Sequence, residues 1–320
     1  MLRTWLTERF GLDVPLVGAP MASVGDGRLA AAVSAAGALG MIGVPASAPA
    51  SWITDQAAVA AAGGRPYGIG LMAWALADHP EQLEAAVEAR PALVSVSFGD
   101  FAPHVERLRH EGITVAVQAG TTREARQAEH AGADLVVARG GEGGGHGRAE
   151  VATLPLLQGV LAEVTVPVLA AGGIATARGL AAVLAAGAAG AWVGTAFLGC
   201  AETLLPEAAR ARVLATDETG TAYGRVFDVA QRLAWPPEFG GRALRNAFFE
   251  RWDGREEELA GDEGARKELE AARAAGDFDV AYVYAGQAVG LVRDTGEEQQ
   301  RTAADVVAAF AAADELLRRF

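Results

Sequence analysis

The run Gly140-Gly141-Glu142-Gly143-Gly144-Gly145-His146-Gly147 gathers six glycines around one imidazole. Glycine has no Cβ, so such a backbone can approach a planar ligand closely, and His146 is the group nearby able to exchange a proton near neutral pH. The run also reads as a flexible surface loop carrying a solvated histidine. Gly145 and Gly147 offer His146 no side chains to pack against, so its removal is expected to cost little stability. Ala171-Gly172-Gly173-Ile174 and Gly194-Thr195 carry a second signal: backbone amides bared by glycine and aimed at a helix N-terminus cradle phosphate groups. Ala19-Pro20-Met21 is weaker, since Pro and Met are equally at home in plain packing.

Other chemistries find less support. Cys200 is the single cysteine, which excludes an intrachain disulfide and a cysteine-cluster metal site. His79, His104, His110 and His130 fall on or beside expected helices and read as surface residues, with no grouping that suggests a metal. Neither a G-x-G-x-x-G nor a P-loop opens a helix, and no Ser-His-Asp arrangement is signalled. A net charge of −13, with Lys267 the only lysine, argues against nucleic acid or an anionic membrane as partner. No apolar run reaches transmembrane length, and the first ten residues lack the apolar core and cleavage site of a signal peptide. A cytoplasmic enzyme acting on a small molecule is the expectation; a homo-oligomer is left open.

These loops must be positioned by a frame. Of the 320 residues 51% are hydrophobic and 21% charged, enough for a large core. Short β-branched runs predict strands at 14–18, 39–43, 67–71, 93–97, 114–118, 135–139, 168–171 and 191–193. Ala-rich helical stretches lie between them, with start signals at Thr122 and Thr176 and left-handed stops at Gly37, Gly63, Gly112, Gly132 and Gly187. Eight such units predict an α/β fold, a closed (βα)8 TIM barrel rather than an open sheet, and place the functional loops after strands one, six, seven and eight at one mouth. Residues 1–203 are expected to form the barrel, 204–301 a mostly helical cap over its mouth, and 302–320 a closing helix that returns to the outer ring.

The Ala-Pro-Met triplet at 19–21, AGADLVVARGGEGGGHGR at 131–148, VPVLAAGGIATARGLAAVLAAGAAGAWVGTAFL at 166–198, RALRNAFFERW at 242–252 and AGQAVGLVRD at 285–294 together resemble the nitronate monooxygenase family, formerly called 2-nitropropane dioxygenases. The resemblance implies FMN as cofactor. It implies that Gly172, Gly173, Gly194 and Thr195 hold the FMN phosphate, that Ala19, Pro20 and Met21 line the isoalloxazine, and that Gly70, Arg139, Gly144 and Gly145 complete the cofactor site. Gly286 and Gln287 match a cofactor-rim loop, and His146 matches the active-site histidine. The chain departs from the pattern at Gly70, where relatives commonly carry Asn, and at Arg139, where many carry Gln; 228–239 looks like extra sequence.

The implied reaction is FMN-dependent oxidation of alkyl nitronates, or of nitroalkanes, by O2 to a carbonyl compound and nitrite, with His146 as base or hydrogen-bond partner. The same scaffold also carries NAD(P)H-dependent FMN reductases of enoyl thioesters or quinones, and a flavin-binding barrel without turnover is a third reading. Trp74, Phe98, Tyr282 and Tyr284 are expected to line the pocket or serve as core aromatics, and Arg139 or Arg148 to attract the substrate anion locally.

Overall fold

The computed structural model describes residues 2–292 and 301–319. Eight parallel strands close into a barrel: β1 (Leu16–Gly18), β2 (Leu39–Gly43), β3 (Tyr67–Met72), β4 (Leu93–Ser97), β5 (Thr114–Ala119), β6 (Leu135–Arg139), β8 (Val168–Ala171) and β9 (Gly190–Val193). Closure is direct, since Val17 stands beside Leu39 on one side and Trp192 on the other. Side chains alternate as the pleat demands. Val17, Leu39, Met41, Leu135, Val137, Leu169 and Trp192 fill the barrel, while Ile42, Ile69, Val94, Val96, Val136 and Val168 face the helices. Each such side chain contributes about 1.5–3 kcal/mol by leaving water. Helix Trp5–Phe10, unanticipated in the sequence, plugs the barrel's far end with the fully buried Leu6.

Local signals for the helices hold to within a residue or two. The helix at Thr122–His130 starts on Thr121, not Thr122: Thr121 Oγ1 accepts from the amide of Glu124 at 3.1 Å. Thr176 caps its helix as expected. Gly37, Gly112, Gly132 and Gly187 adopt positive φ, but after helix Ala50–Ala61 the left-handed residue is Gly64 rather than Gly63. There Ala62 stays right-handed, which moves the turn along by one residue.

Past the barrel the chain forms short helices: Glu207–Leu214 packs Ala209 and Val213 with Leu198, Val283 and Val289, while Val226–Gln231, Ala247–Trp252, Glu256–Gly261 and Glu263–Ala275 lie over a second core of Phe227, Phe248, Phe249, Trp252 and Leu269. They are joined by an antiparallel sheet that the helical expectation did not include. Its strands are β10 (Thr221–Gly224), β11 (Gly241–Leu244) and β7 (Gly145–His146), the last lent by the glycine-rich loop after β6. That loop is therefore part of a sheet, with His146 opposite Gly241, and not a free surface loop. Helix Ala303–Ala311 packs against Gly27–Ala35 and Ala177–Ala185, in the outer ring. No helix among the described residues is long and apolar enough to cross a membrane.

Candidate active site

A cavity of about 600 Å³ opens at the C-terminal ends of the strands, within the range of small-molecule and cofactor sites. Ala19, Pro20 and Met21 after β1, Gly70 on β3, Arg139 at the end of β6, Gly144, Gly145 and His146 in the following loop, Gly172 and Gly173 after β8, and Gly194 and Thr195 after β9 all line it. Trp74, Phe98, Tyr282 and Tyr284 line it too. Gly286 and Gln287 do not. Gly286 stands behind the wall, its amide donating to Thr195 Oγ1 at 2.9 Å, and Gln287 is exposed, its amide bound to the Glu142 carbonyl at 2.9 Å. They brace the loop instead of rimming the cavity, because the space a Cβ on Gly144 would need is already taken by the backbone of Ala285 and Gly286.

The end of β8 has the form of an anion cradle. Gly172 and Gly173 both take positive φ, at 99° and 73°, and their amides donate to no carbonyl among the described residues. A Cβ built on Gly173 meets nothing nearer than Glu142 Cβ at 3.6 Å, so the space beside it is open for a ligand. Bare amides in this position at the seventh and eighth barrel strands fit a phosphate such as that of FMN.

The glycines after β6 have a different cause. Arg139 points up inside the loop, donating from Nη2 to the carbonyls of Gly143, Gly144 and Gly145 at 2.8, 3.2 and 3.0 Å and from Nη1 to that of Arg148 at 3.0 Å. A Cβ on Gly147 would fall 2.3 Å from its Nη1. The loop is small-residue sequence because it is wrapped around a guanidinium, and only Gly145 has open space at its Cβ position. Burial pulls the Arg139 guanidinium down to about 10, and among the described residues it bonds carbonyls rather than a carboxylate. Arg148 is not available to attract an anion: it pairs with Glu124, and also reaches Glu150 and Glu238 at 3.5 and 3.9 Å. Gly70 is explained by Pro20, whose ring would lie 2.3 Å from a Cβ at that position.

His146 is far from unpacked. Its side chain is 10% exposed. Nε2 lies 2.8 Å from Oδ1 of Asp228, whose carboxylate is itself 2% exposed, and the ring stacks on Trp235 at 3.7 Å between centroids and 4° from parallel. The Tyr284 hydroxyl donates to the same Asp228 Oδ1 at 3.3 Å, while Oδ2 has no partner among the described residues. Burial, then the nearby Asp228 charge, pushes the Tyr284 phenol well above its usual range, so it keeps the proton that it donates to Asp228. Asp228 and Trp235 belong to the segment that looks like extra sequence; it supplies the immediate neighbours of His146. The signal was an acid inside the apolar run Val226-Phe227-Asp228-Val229-Ala230, where a carboxylate has no reason to be buried without a partner. Phe98 and Trp74 extend the aromatic wall by packing on Trp235 at 5.3 and 5.2 Å.

Comparison with known proteins agrees with this geometry. Residues 73–300 match the family model described as nitronate monooxygenase. A nitronate monooxygenase of Pseudomonas aeruginosa is 33% identical, with 90% of this chain and 95% of the relative covered. A (3aS,4S,5R,7aS)-5-hydroxy-7a-methyl-1-oxo-octahydro-1H-indene-4-carboxyl-CoA dehydrogenase of Rhodococcus jostii is 35% identical over 71% of this chain, and the match spans only 64% of that protein's length. Among solved structures, a nitroalkane oxidase from Streptomyces ansochromogenes superposes with a TM-score of 0.81 at 29% identity, covering 98% of this chain and 99% of that one. With the family model matching most of the sequence and the barrel, glycine cradle and loop histidine in place, the chain belongs to the nitronate monooxygenase family.

Proposed function

We propose that the protein binds FMN and oxidises small alkyl nitronates, and the nitroalkanes they derive from, with O2 to a carbonyl compound and nitrite. The observation that carries this is His146 in the wall of the cavity that also contains the open glycine cradle after β8. Gly172, Gly173, Gly194 and Thr195 would hold the FMN phosphate, and Ala19, Pro20, Met21, Gly70, Arg139, Gly144 and Gly145 would border its ring. Gly286 and Gln287 would act from behind, by bracing the loop. When bound there, FMN would supply the redox chemistry between the substrate and O2. The residues of the chain handle the proton and the charge. His146 accepts the proton from the carbon bearing the nitro group of a neutral nitroalkane, or hydrogen-bonds a preformed nitronate. Arg139, a buried cation held by carbonyls, favours an anion in the cavity, and the aromatic wall excludes water around an apolar alkyl chain. Substrate and O2 are the partners of this reaction, and the cytoplasm its compartment.

Absorption spectroscopy of the purified protein, followed by nitrite release from a small nitronate in air, tests the proposal. One FMN per chain and stoichiometric nitrite are expected; failure to take up FMN, or a flavoprotein that releases no nitrite, overturns it. The similarity to a CoA-ester dehydrogenase favours a second reading, an NAD(P)H-linked FMN reductase of a thioester. Rapid anaerobic bleaching of the flavin by NADH or NADPH would select it.

A further inference from the structure

The histidine has two ring nitrogens, and the surroundings treat them unequally. Nε2 faces Asp228 Oδ1 at 2.8 Å, and the Nε2–Cε1 edge lies against Gly241, where a Cβ would come within 3.3 Å of Nε2. Nδ1 has no hydrogen-bond partner among the described residues. An ionised carboxylate can only accept, and the Tyr284 hydroxyl already gives its proton to the same oxygen. Nε2 must then carry the hydrogen of the neutral ring. Rotating the ring by half a turn would set Cε1–H against a buried carboxylate, and the parallel Trp235 leaves it little room to settle at an intermediate angle.

We propose that Asp228 is a positioning residue that fixes His146 as the Nε2–H tautomer and so makes Nδ1 the atom that takes the substrate's proton. The proposal rests on the nitroalkane reading above and adds to it the atom and the source of its basicity. In the step, the C–H bond next to the nitro group breaks, its electron pair stays on the substrate as the nitronate, and the proton forms a bond to Nδ1. The imidazolium that results is stabilised by the Asp228 carboxylate at its other nitrogen and by the face of Trp235. The other charged or titratable groups nearby are Tyr284 on Asp228, Tyr282 and Arg273 stacked beyond it, Arg139 beneath Gly147, Tyr223 donating to the Gly147 carbonyl at 2.8 Å, and Arg242 opposite Gly145. None of these touches Nε2, so the tautomer is set by Asp228. A buried carboxylate with one oxygen left unpartnered is costly, and holding His146 gives that cost a reason.

The experiment is nitrogen-15 NMR of the full-length, flavin-loaded protein labelled at histidine, with His146→Gln used to identify the His146 signals. The shift pattern of an Nε2–H ring is expected in the parent. Asp228→Asn presents an amide that can donate as well as accept, so the Nδ1–H form should appear. Its kcat/KM on a neutral nitroalkane should fall by roughly 10² to 10⁴, as for loss of a base or its orienting carboxylate, while kcat/KM on the preformed nitronate changes by less than about fivefold. An Nδ1–H ring in the parent overturns the proposal, and so does an Asp228→Asn protein whose tautomer and substrate ratio match the parent's. Should Asp228→Asn fail to fold or to hold flavin, the parent's tautomer and that of Tyr284→Phe, which is expected to stay Nε2–H, decide it. A parent with no activity on any nitro compound refutes the function while leaving the tautomer result to stand or fall by itself.

Discussion

The imidazole of His146 and the indole of Trp235 lie face to face, 3.7 Å apart and 4° from parallel, although they stand 89 positions apart in the sequence and the histidine is flanked by glycines. The packing comes from across the cap, through the pairing of β7 with β11. Removing the ring therefore uncovers an indole face and leaves a buried carboxylate with only the longer 3.3 Å hydrogen bond from Tyr284. His146→Ala is expected to cost about 1–3 kcal/mol, the penalty for leaving a buried acceptor unsatisfied. Thermal melts would check it, and the double variant His146→Ala/Asp228→Ala should be less destabilised than the sum of the two single changes.

Gly173→Asp should empty the site of flavin. Its φ of 73° disfavours any side chain, and the new carboxylate would project into the space next to Glu142 that a phosphate needs. A loss of at least roughly tenfold in FMN affinity, about 1.4 kcal/mol, is expected by titration of the apoprotein. Full retention of FMN would remove the cradle from the cofactor site.

Gly70→Asn introduces the residue that the family resemblance leads one to expect there and should nonetheless destabilise this chain. The rigid Pro20 ring occupies the place of the Cβ, at 2.3 and 2.4 Å, so overpacking of about 1–3 kcal/mol is expected. Pro20→Ala in the same chain should relieve most of it. A melting midpoint for Gly70→Asn equal to the parent's would show that Pro20 moves freely.

Cys200 is fully buried, and burial, with Glu202 beside it, pushes its thiol up to about 12. Unfolded, a cysteine ionises near 8.5. The folded state thus binds a proton that the unfolded state has lost, and the contribution is complete below about pH 8.5 and disappears as pH rises towards 12. Denaturant midpoints of the parent should fall relative to Cys200→Ala by an amount worth about 2 kcal/mol between pH 7 and 10. At pH 8 the native thiol should resist alkylation that the unfolded chain undergoes at once.

The barrel could be read from the sequence because its signals are local. A run such as Leu135-Val136-Val137-Ala138 is apolar on both faces, and the glycine stop at Gly132 precedes it by three residues. Gly172, Gly173 and His146 were also visible, since each follows a strand whose end the barrel turns towards one mouth. What could not be read is whatever depends on a distant partner. Asp228 meets His146 across 82 residues, and nothing in either neighbourhood names the other. As sequence, the glycines at 143–147 point to ligand approach, whereas Arg139 and Gly286 account for most of them. A glycine's sequence position does not say what fills the room left by its missing side chain. The same limit applies to Gly286 and Gln287, whose motif is present but whose place is behind the cavity wall.

The two-residue strand Gly145–His146 joins the third strand position of a sheet whose other members belong to the cap. Recombination between members of the family therefore has a hidden seam. A chimaera that takes its barrel from one parent and everything after β9 from another would inherit a histidine from the first and the acid, indole and sheet partner of that histidine from the second. Exchange of the post-barrel segment is then an exchange of chemistry as well as of pocket shape, and divergence of reaction within such a lineage can be driven by residues that no barrel strand carries.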